Sequence, residues 1–256
     1  MMNKIIKYVL HDIFRNRILL AYVMLLSLSS FGLFMMNEDV SKGLSSLLTV
    51  LLIVVPLVSI LFTTIYFFNS YEFIELLVAQ PLKRSNILLG VYAGVGISLL
   101  AAFWIGIGLP VIIFDGTTVG WYFLLSGSLL TMVFVSLAFL ASVLTRDKTR
   151  GIGISMLLWF YFTLIFDGIL LMVMFSFSDY PLEKLTIFLS CLNPVDLARI
   201  MVLLKMDISA LMGYTGAVFN QFFGSSFGIA LALSVMLLWV VLPISIALRI
   251  FRRKDL

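Results

Sequence analysis

Six long runs of apolar residues limit what this chain can fold into. They fall near residues 18–36, 46–68, 87–113, 120–144, 152–175 and 226–248. A hydrocarbon core of about 30 Å takes about 20 helical residues to cross, and each run is close to that length or longer. A backbone in lipid must satisfy its own N–H and C=O groups, which a helix does within one segment. The expected fold is an all-α membrane protein with six transmembrane helices. The chain is 62% hydrophobic and 12% charged, whereas soluble domains run roughly 45–50% apolar and about 25% charged. No soluble core needs that excess.

Charge sets the expected orientation. The net charge is +4, but the basic residues flank apolar runs and form no patch for nucleic acid, so no nucleic-acid partner is expected. With the N-terminus inside, Lys4, Lys7, Arg15, Arg17, Lys83, Arg84, Arg146, Lys148, Arg150, Arg249, Arg252, Arg253 and Lys254 all face the cytoplasm, and only Lys42, Lys184, Arg199 and Lys205 lie outside. An odd number of spans would put the basic tail outside. The positive-inside bias therefore favours six spans with both termini cytoplasmic. Within residues 1–17, Ile5, Ile6, Val9, Leu10, Ile13 and Phe14 recur at helical spacing beside Lys4, Lys7, Arg15 and Arg17. This predicts an amphipathic helix in the cytoplasmic interface. The apolar run after it is longer than the core of a cleaved signal.

Residues 69–90 lie between the second and third runs. Glu72 and Glu75 are three apart, on one face of a short helix. Phe73, Leu76 and Leu77 are expected on the other face, so the helix would lie along the membrane surface. Pro81 lacks a backbone N–H and disfavours helix before it, which predicts an end near Gln80. Lys83 and Arg84 follow on the cytoplasmic side. Such a helix, held between two spans, either passes motion from a soluble partner into the membrane or is an ordinary solvated loop.

This stretch resembles the loop between the second and third spans of ABC-2-type transporter permeases. There a Glu, an acidic-Leu-Leu, a Pro, a basic residue, Ile-Leu and Gly recur in order. Glu72, Glu75-Leu76-Leu77, Pro81, Arg84, Ile87-Leu88 and Gly90 match in place, while Phe73-Ile74 stands where the family often has Gly-Thr. Phe14-Arg15-Asn16-Arg17 resembles the family's entry helix. Gln80-Pro81 and Asn193-Pro194-Val195-Asp196, followed by Arg199, are similar to NosY-type permeases, which serve the maturation of nitrous oxide reductase. The resemblance implies one ABC-2-type transmembrane domain over 1–256, with an entry helix at 1–17, a coupling-helix loop at 69–86 and a periplasmic helical segment at 176–225, interfacial or re-entrant. It implies a homodimer in the bacterial inner membrane, a cytoplasmic ABC ATPase seated on Glu72, Glu75, Leu76, Pro81 and Arg84, and a periplasmic β-helix protein. The implied function is export of a sulfur species for copper-site assembly. The alternative is export of lipid, peptide or drug, and gene neighbourhood separates the two.

Other positions carry readings of their own. Gly90, Gly94 and Ser98, and later Gly224 and Gly228, allow close helix approach, favouring tight packing within the chain over a dimer seam. Pro56, Pro110 and Pro243 lie inside or near span ends, where proline is tolerated and can kink a helix. Asp167 stands alone in the fifth run. A carboxylate near mid-membrane costs about 2.5–3.5 kcal/mol on insertion scales, so it either lines a transport path or makes a structural hydrogen bond. In the outer segment Asn193 is expected to cap a helix beginning at Pro194, with Asp196 in its first turn. Asp196 and Arg199 are placed on a polar face, where Asn193, Pro194, Asp196 and Arg199 either dock a periplasmic partner or belong to a lid. A further apolar stretch at 208–223 is short for a span. The basic loop at 145–151 serves as a second cytoplasmic contact or anchors spans four and five to lipid phosphates.

The chain carries no Walker A motif, so ATP is expected on a partner subunit and no cofactor on this one. His11 is the only histidine and Cys191 the only cysteine, which argues against a zinc site and allows no internal disulfide. The 13 methionines suit Cu(I) in principle but also serve as core filler, and no metal site is assigned. A transport subunit is expected, not an enzyme. A membrane scaffold without transport would lack the coupling helix.

Overall fold

The computed structural model describes residues 2–37, 39–80, 82–177, 183–206 and 226–253. Among them the chain is helical with no strand, and six helices are long and apolar enough to cross a membrane. A short helix α1 (Met2–Phe14) leads into α2 (Arg17–Met36), the first span. The second is α3 (Val40–Asn69), followed by the short α4 (Tyr71–Val78). The third runs through α5 (Arg84–Phe103), a π-helical turn at Trp104–Gly108 and α6 (Leu109–Phe114). The fourth is α7 (Thr118–Leu144). The fifth joins α8 (Lys148–Phe160) to α9 (Phe166–Ser176) through a second π-helical turn, Tyr161–Ile165. Two short helices follow, α10 (Glu183–Cys191) and α11 (Pro194–Leu203), before α12 (Ser226–Arg253) supplies the last span. The predicted stretch at 208–223, Gly224 and Pro81 lie outside the described residues.

The fourth span is the axis of the bundle. It packs on α3, α5, α8, α11 and α12, and 72% of its most apolar stretch is buried, against 17% for the fifth span. Phe123, Phe134 and Phe139 are wholly enclosed on it. Apolar side chains gain little over lipid tails by packing on each other, so close fit and interhelical hydrogen bonds carry specificity. The Tyr92 and Ser136 hydroxyls meet at 2.9 Å between α5 and α7, and those of Thr64 and Ser155 at 2.7 Å between α3 and α8. Ser30 Oγ on α2 donates to the Gly106 carbonyl at 2.8 Å, in the first π-turn. Pro56 and Pro243 are accommodated inside their helices, and Pro110 opens the segment after that π-turn.

Small residues on the third span do pack within the chain, and their partner is α1. Ile5, Val9 and Ile13 form the buried stripe of α1. They lie on α5, where a methyl at Gly90 would stand 3.0 Å from Ile5 Cγ2 and one at Gly94 would stand 2.5 Å from Val9 Cγ1. Lys4, Lys7, Tyr8, His11 and Asp12 stay on the open face. Helix α1, helix α4, the turn before α8 and the end of α12 thus gather at one end of the bundle, the basic end. Here Lys148 Nζ donates to Asn69 Oδ1 at 2.7 Å and Arg252 Nε to Ser85 Oγ at 2.6 Å.

Gly94→Val is expected to force α1 off α5. Overpacking of this kind costs about 1–3 kcal/mol, read as a lower heat-unfolding midpoint of the detergent-solubilised protein. Gly153→Ala, where an added methyl meets nothing within 4 Å, is the control and should leave the midpoint in place.

Candidate functional site

Two sites stand at opposite ends of the bundle. At the far end, away from α1, the chain brings three charges together. The second π-turn re-aims the fifth span so that Asp167, in the first turn of α9, faces α11. Counting about 1.5 Å per residue, Asp167 lies about 14 Å along the helix from Ser176. It is not solitary: Arg199 Nη2 donates to Asp167 Oδ2 at 2.7 Å, and Arg199 Nη1 to Asp196 Oδ1 at 3.2 Å. One planar guanidinium therefore holds two carboxylates, a role a lysine would not fill as well.

Asn193 builds the frame for this cluster. Its Oδ1 accepts from Val195 N at 3.0 Å, the cap expected for a helix opening at Pro194. Its Nδ2 donates to the Phe162 carbonyl at 3.0 Å, inside the π-turn. A π-turn disturbs the regular backbone ladder, and Asn193 satisfies one of its carbonyls while tying α11 to the fifth span. Asn193 is fully buried and Asp196 is 5% exposed, on a helix that packs on the fourth span. The polar face expected for Asp196 is thus an interior face. Apolar Val195, Leu197, Ala198 and Val202 enclose the same helix, so little of α11 is free. Pro194 is buried as well, and of the four residues only Arg199 is partly open, with 31% of its side chain exposed.

The electrostatics follow from that enclosure. Burial pushes the Asp196 carboxyl up to about 7, the charge of the neighbouring Asp167 adds to the rise, and Arg199 and Asn193 oppose it. Desolvation here outweighs a direct guanidinium contact, because the guanidinium is shared. Asp167 Oδ1 and Asp196 Oδ2 are buried and have no hydrogen-bond partner.

At the basic end α4 is amphipathic, but the expected faces need correction. Ile74 is fully buried, and Leu77 and Val78 pack behind it. Phe73 stacks on Tyr8 of α1 with ring centroids 4.6 Å apart. Leu76, expected on the apolar face, is 67% exposed and projects with Glu72 and Glu75. The geometric reason is that the helix rests on Ile74, so positions 72, 75 and 76 share the opposite side. The helix ends at Val78, two residues before the expected stop, and Lys83 precedes the next helix without a side-chain cap, with Arg84 half-buried as its first residue. Burial raises the Tyr71 phenol, with Glu75 adding to the effect and Arg146, in the turn before α8, opposing it.

This is a six-span helical membrane protein with a charged cluster at one end and an exposed acidic helix at the other, the build of a membrane transport subunit. The chain matches the model of the ABC-2 family transporter proteins over residues 50–256 and belongs to that family. It is 28% identical to the probable ABC transporter permease protein NosY of Stutzerimonas stutzeri, an alignment covering 96% of this chain and 95% of the relative. It is 29% identical to the protein of the same description in Pseudomonas aeruginosa, over 96% of each. As an ABC permease subunit it works with a partner ATPase subunit.

The missed feature was the pairing of Asp167 with Arg199. The available signal was an acidic residue in the fifth run with no local partner and a basic residue, Arg199, in the outer segment. Arg199→Met leaves two carboxylates facing each other. The expected loss is up to about 3 kcal/mol, the lower bound for breaking a buried pair, since the guanidinium keeps some solvent. Heat unfolding in detergent measures it, and Arg199→Lys, which keeps charge without the fork, should recover part.

Proposed function

We propose that this chain is the membrane half of a NosY-type exporter in the bacterial inner membrane, passing a sulfur species outward for the copper site of nitrous oxide reductase. The observation that carries this reading is similarity along 96% of the chain to two permeases described as NosY. Both termini are cytoplasmic in this reading, and the chain is a transport subunit with no catalytic, metal or cofactor site of its own. The ATPase seats on α4, where Glu72, Glu75 and Leu76 present an acidic and apolar surface on a base anchored by Ile74. Arg84 opens the third span beyond that surface. Two copies form the transporter with their fifth spans, the least buried of the six, facing the path. Asp167 stands at its outer end. The periplasmic β-helix partner meets the outer helices around Arg199, the open member of the Asn193, Pro194, Asp196 and Arg199 group. Lipid occupies an apolar cleft of about 300 Å³ lined by Ile18, Leu57, Leu61 and Phe62.

Two measurements test the reading. Reversal of both acidic residues, Glu72→Lys with Glu75→Lys, puts like charge against a basic patch on the ATPase. Co-purification should weaken by about tenfold or more, which is 1.4 kcal/mol, and stimulated ATP hydrolysis should fall; unchanged values for both reject the seat. In cells, removing the chain should leave the reductase without its copper site. Asp167→Asn, which keeps shape and a hydrogen-bonding side chain, should assemble normally and mature less reductase. Full maturation with Asp167→Leu would exclude Asp167 from the path.

A further inference from the structure

We propose that Asp167 and Asp196 form a binding site for a single proton, and that this proton latches helix α11 to the fifth span. The site is a property of the chain alone and does not depend on the transport reading.

Charge balance is the first argument. Two carboxylates and one guanidinium sum to one negative charge, with the Asp196 side chain 7% exposed and those of Asp167 and Arg199 29% and 31% exposed. A single added proton makes the cluster neutral, and neutrality is what a poorly solvated site favours. Geometry is the second. Arg199 uses Nη1 and Nη2 of one fork to hold Asp196 Oδ1 and Asp167 Oδ2, so the two carboxyl groups are drawn side by side. Each keeps one buried oxygen without a hydrogen-bond partner, Asp196 Oδ2 and Asp167 Oδ1. Asp196 itself is 95% enclosed by its 5% exposure, and Asp167 is held on the same guanidinium. Two acceptors cannot satisfy each other. An acid O–H on Asp196 donating to Asp167 satisfies both at once, and no other donor is needed.

The groups around Asp196 are accounted for. The titratable or charged groups acting on it are Asp167 from α9 and Arg199 from its own helix, with Asn193 as a neutral partner. The other elements packed on α11 carry Cys191 on α10, Tyr122 on α7, Tyr161 in the π-turn, Lys42 and Tyr66 on α3, and Arg249, Arg252 and Arg253 on α12, none of which acts on Asp196. Tyr122 is instead beneath Lys205, 5.1 Å from its ring centre.

The sign of the linkage is fixed by the direction of the shift. In the docked form Asp196 holds its proton up to about 7, above its ordinary 3.8. With α11 lifted, the carboxyl regains water and its ordinary value. Docking is therefore strongest below about pH 4 and weakens as pH rises towards about 7. Loss of the proton leaves a net negative charge between α11 and α9, opposed only by a shared Arg199. Lifting α11 would also free Asn193 from the Phe162 carbonyl and disturb the π-turn, so proton release reaches the fifth span.

The test uses the full chain in lipid nanodiscs, without ATPase, cargo or reductase, so its result is separate from the transport assays. Infrared difference spectra should show the carbonyl band of a protonated carboxylic acid that disappears as pH rises through about 7. The band should be missing from both Asp196→Asn and Asp167→Asn, whose amides replace the shared proton and keep the cluster neutral. Cys191 reports movement: it is half-buried, its thiol is raised by burial, and Trp239 Nε1 donates to its carbonyl at 3.3 Å. Its alkylation rate, taken relative to Asp196→Asn at the same pH, should climb by up to about tenfold per pH unit between about pH 5 and about pH 7, the slope of a one-proton equilibrium. Asp167→Asn serves as the second reference. A wild type without the band, a band that persists in both variants, or a rate ratio that does not change with pH would overturn the proposal. The wild-type titration decides the matter even where a variant assembles poorly.

Discussion

Every backbone polar group inside a bilayer needs a partner from the protein, and the rest of this structure answers to that demand. Six spans meet it with their own ladders. The two π-turns, at Trp104–Gly108 and Tyr161–Ile165, depart from the regular ladder and receive outside help. Ser30 donates to Gly106 in the first and Asn193 to Phe162 in the second. Each donor comes from a different helix, so satisfying the backbone also fixes which helices are neighbours. Long-range order arises here from a few hydrogen bonds in a setting where apolar contact alone discriminates poorly.

The same economy of contacts links the two ends. Helix α1 is seated on the third span through Ile5 and Val9 over Gly90 and Gly94, and it carries Tyr8 to the ring of Phe73 on α4. Tyr66 of the second span donates to Asp12 of α1 at 3.1 Å. Helices α4 and α1 and the second and third spans are thus joined by one continuous set of contacts. At the far end α11 packs on the central fourth span and the last span while its Arg199 grips the fifth. The fourth span packs on the second and third spans as well as on α11, and it is the most buried of the six.

The number of spans and the cap at Asn193 were legible because both depend on residues close in sequence. Run length decides whether a helix crosses lipid, and Asn-Pro places a cap oxygen two residues from the N–H it serves. The face of α4 was half legible. Its amphipathic character was evident, yet Leu76 points outward because Ile74 is the residue that finds a pocket, and a pocket is made by other helices. Asp167 was recognised as unusual for its charge, but its surroundings were not, since Arg199 lies 32 residues further on across a turn of the chain.

The sequence by itself determined that this is an all-helical, six-span protein, with basic residues gathered at one end and short amphipathic helices between spans. Those properties follow from hydropathy and charge counted along the chain. Only the tertiary structure decided that a polar-looking outer helix turns its acid inward, that one guanidinium holds two carboxylates, and that a π-turn in the fifth span takes its hydrogen bond from that same helix. Solvation energy and shared hydrogen bonds depend on which groups meet in space, and a linear pattern records which groups exist but not which ones meet.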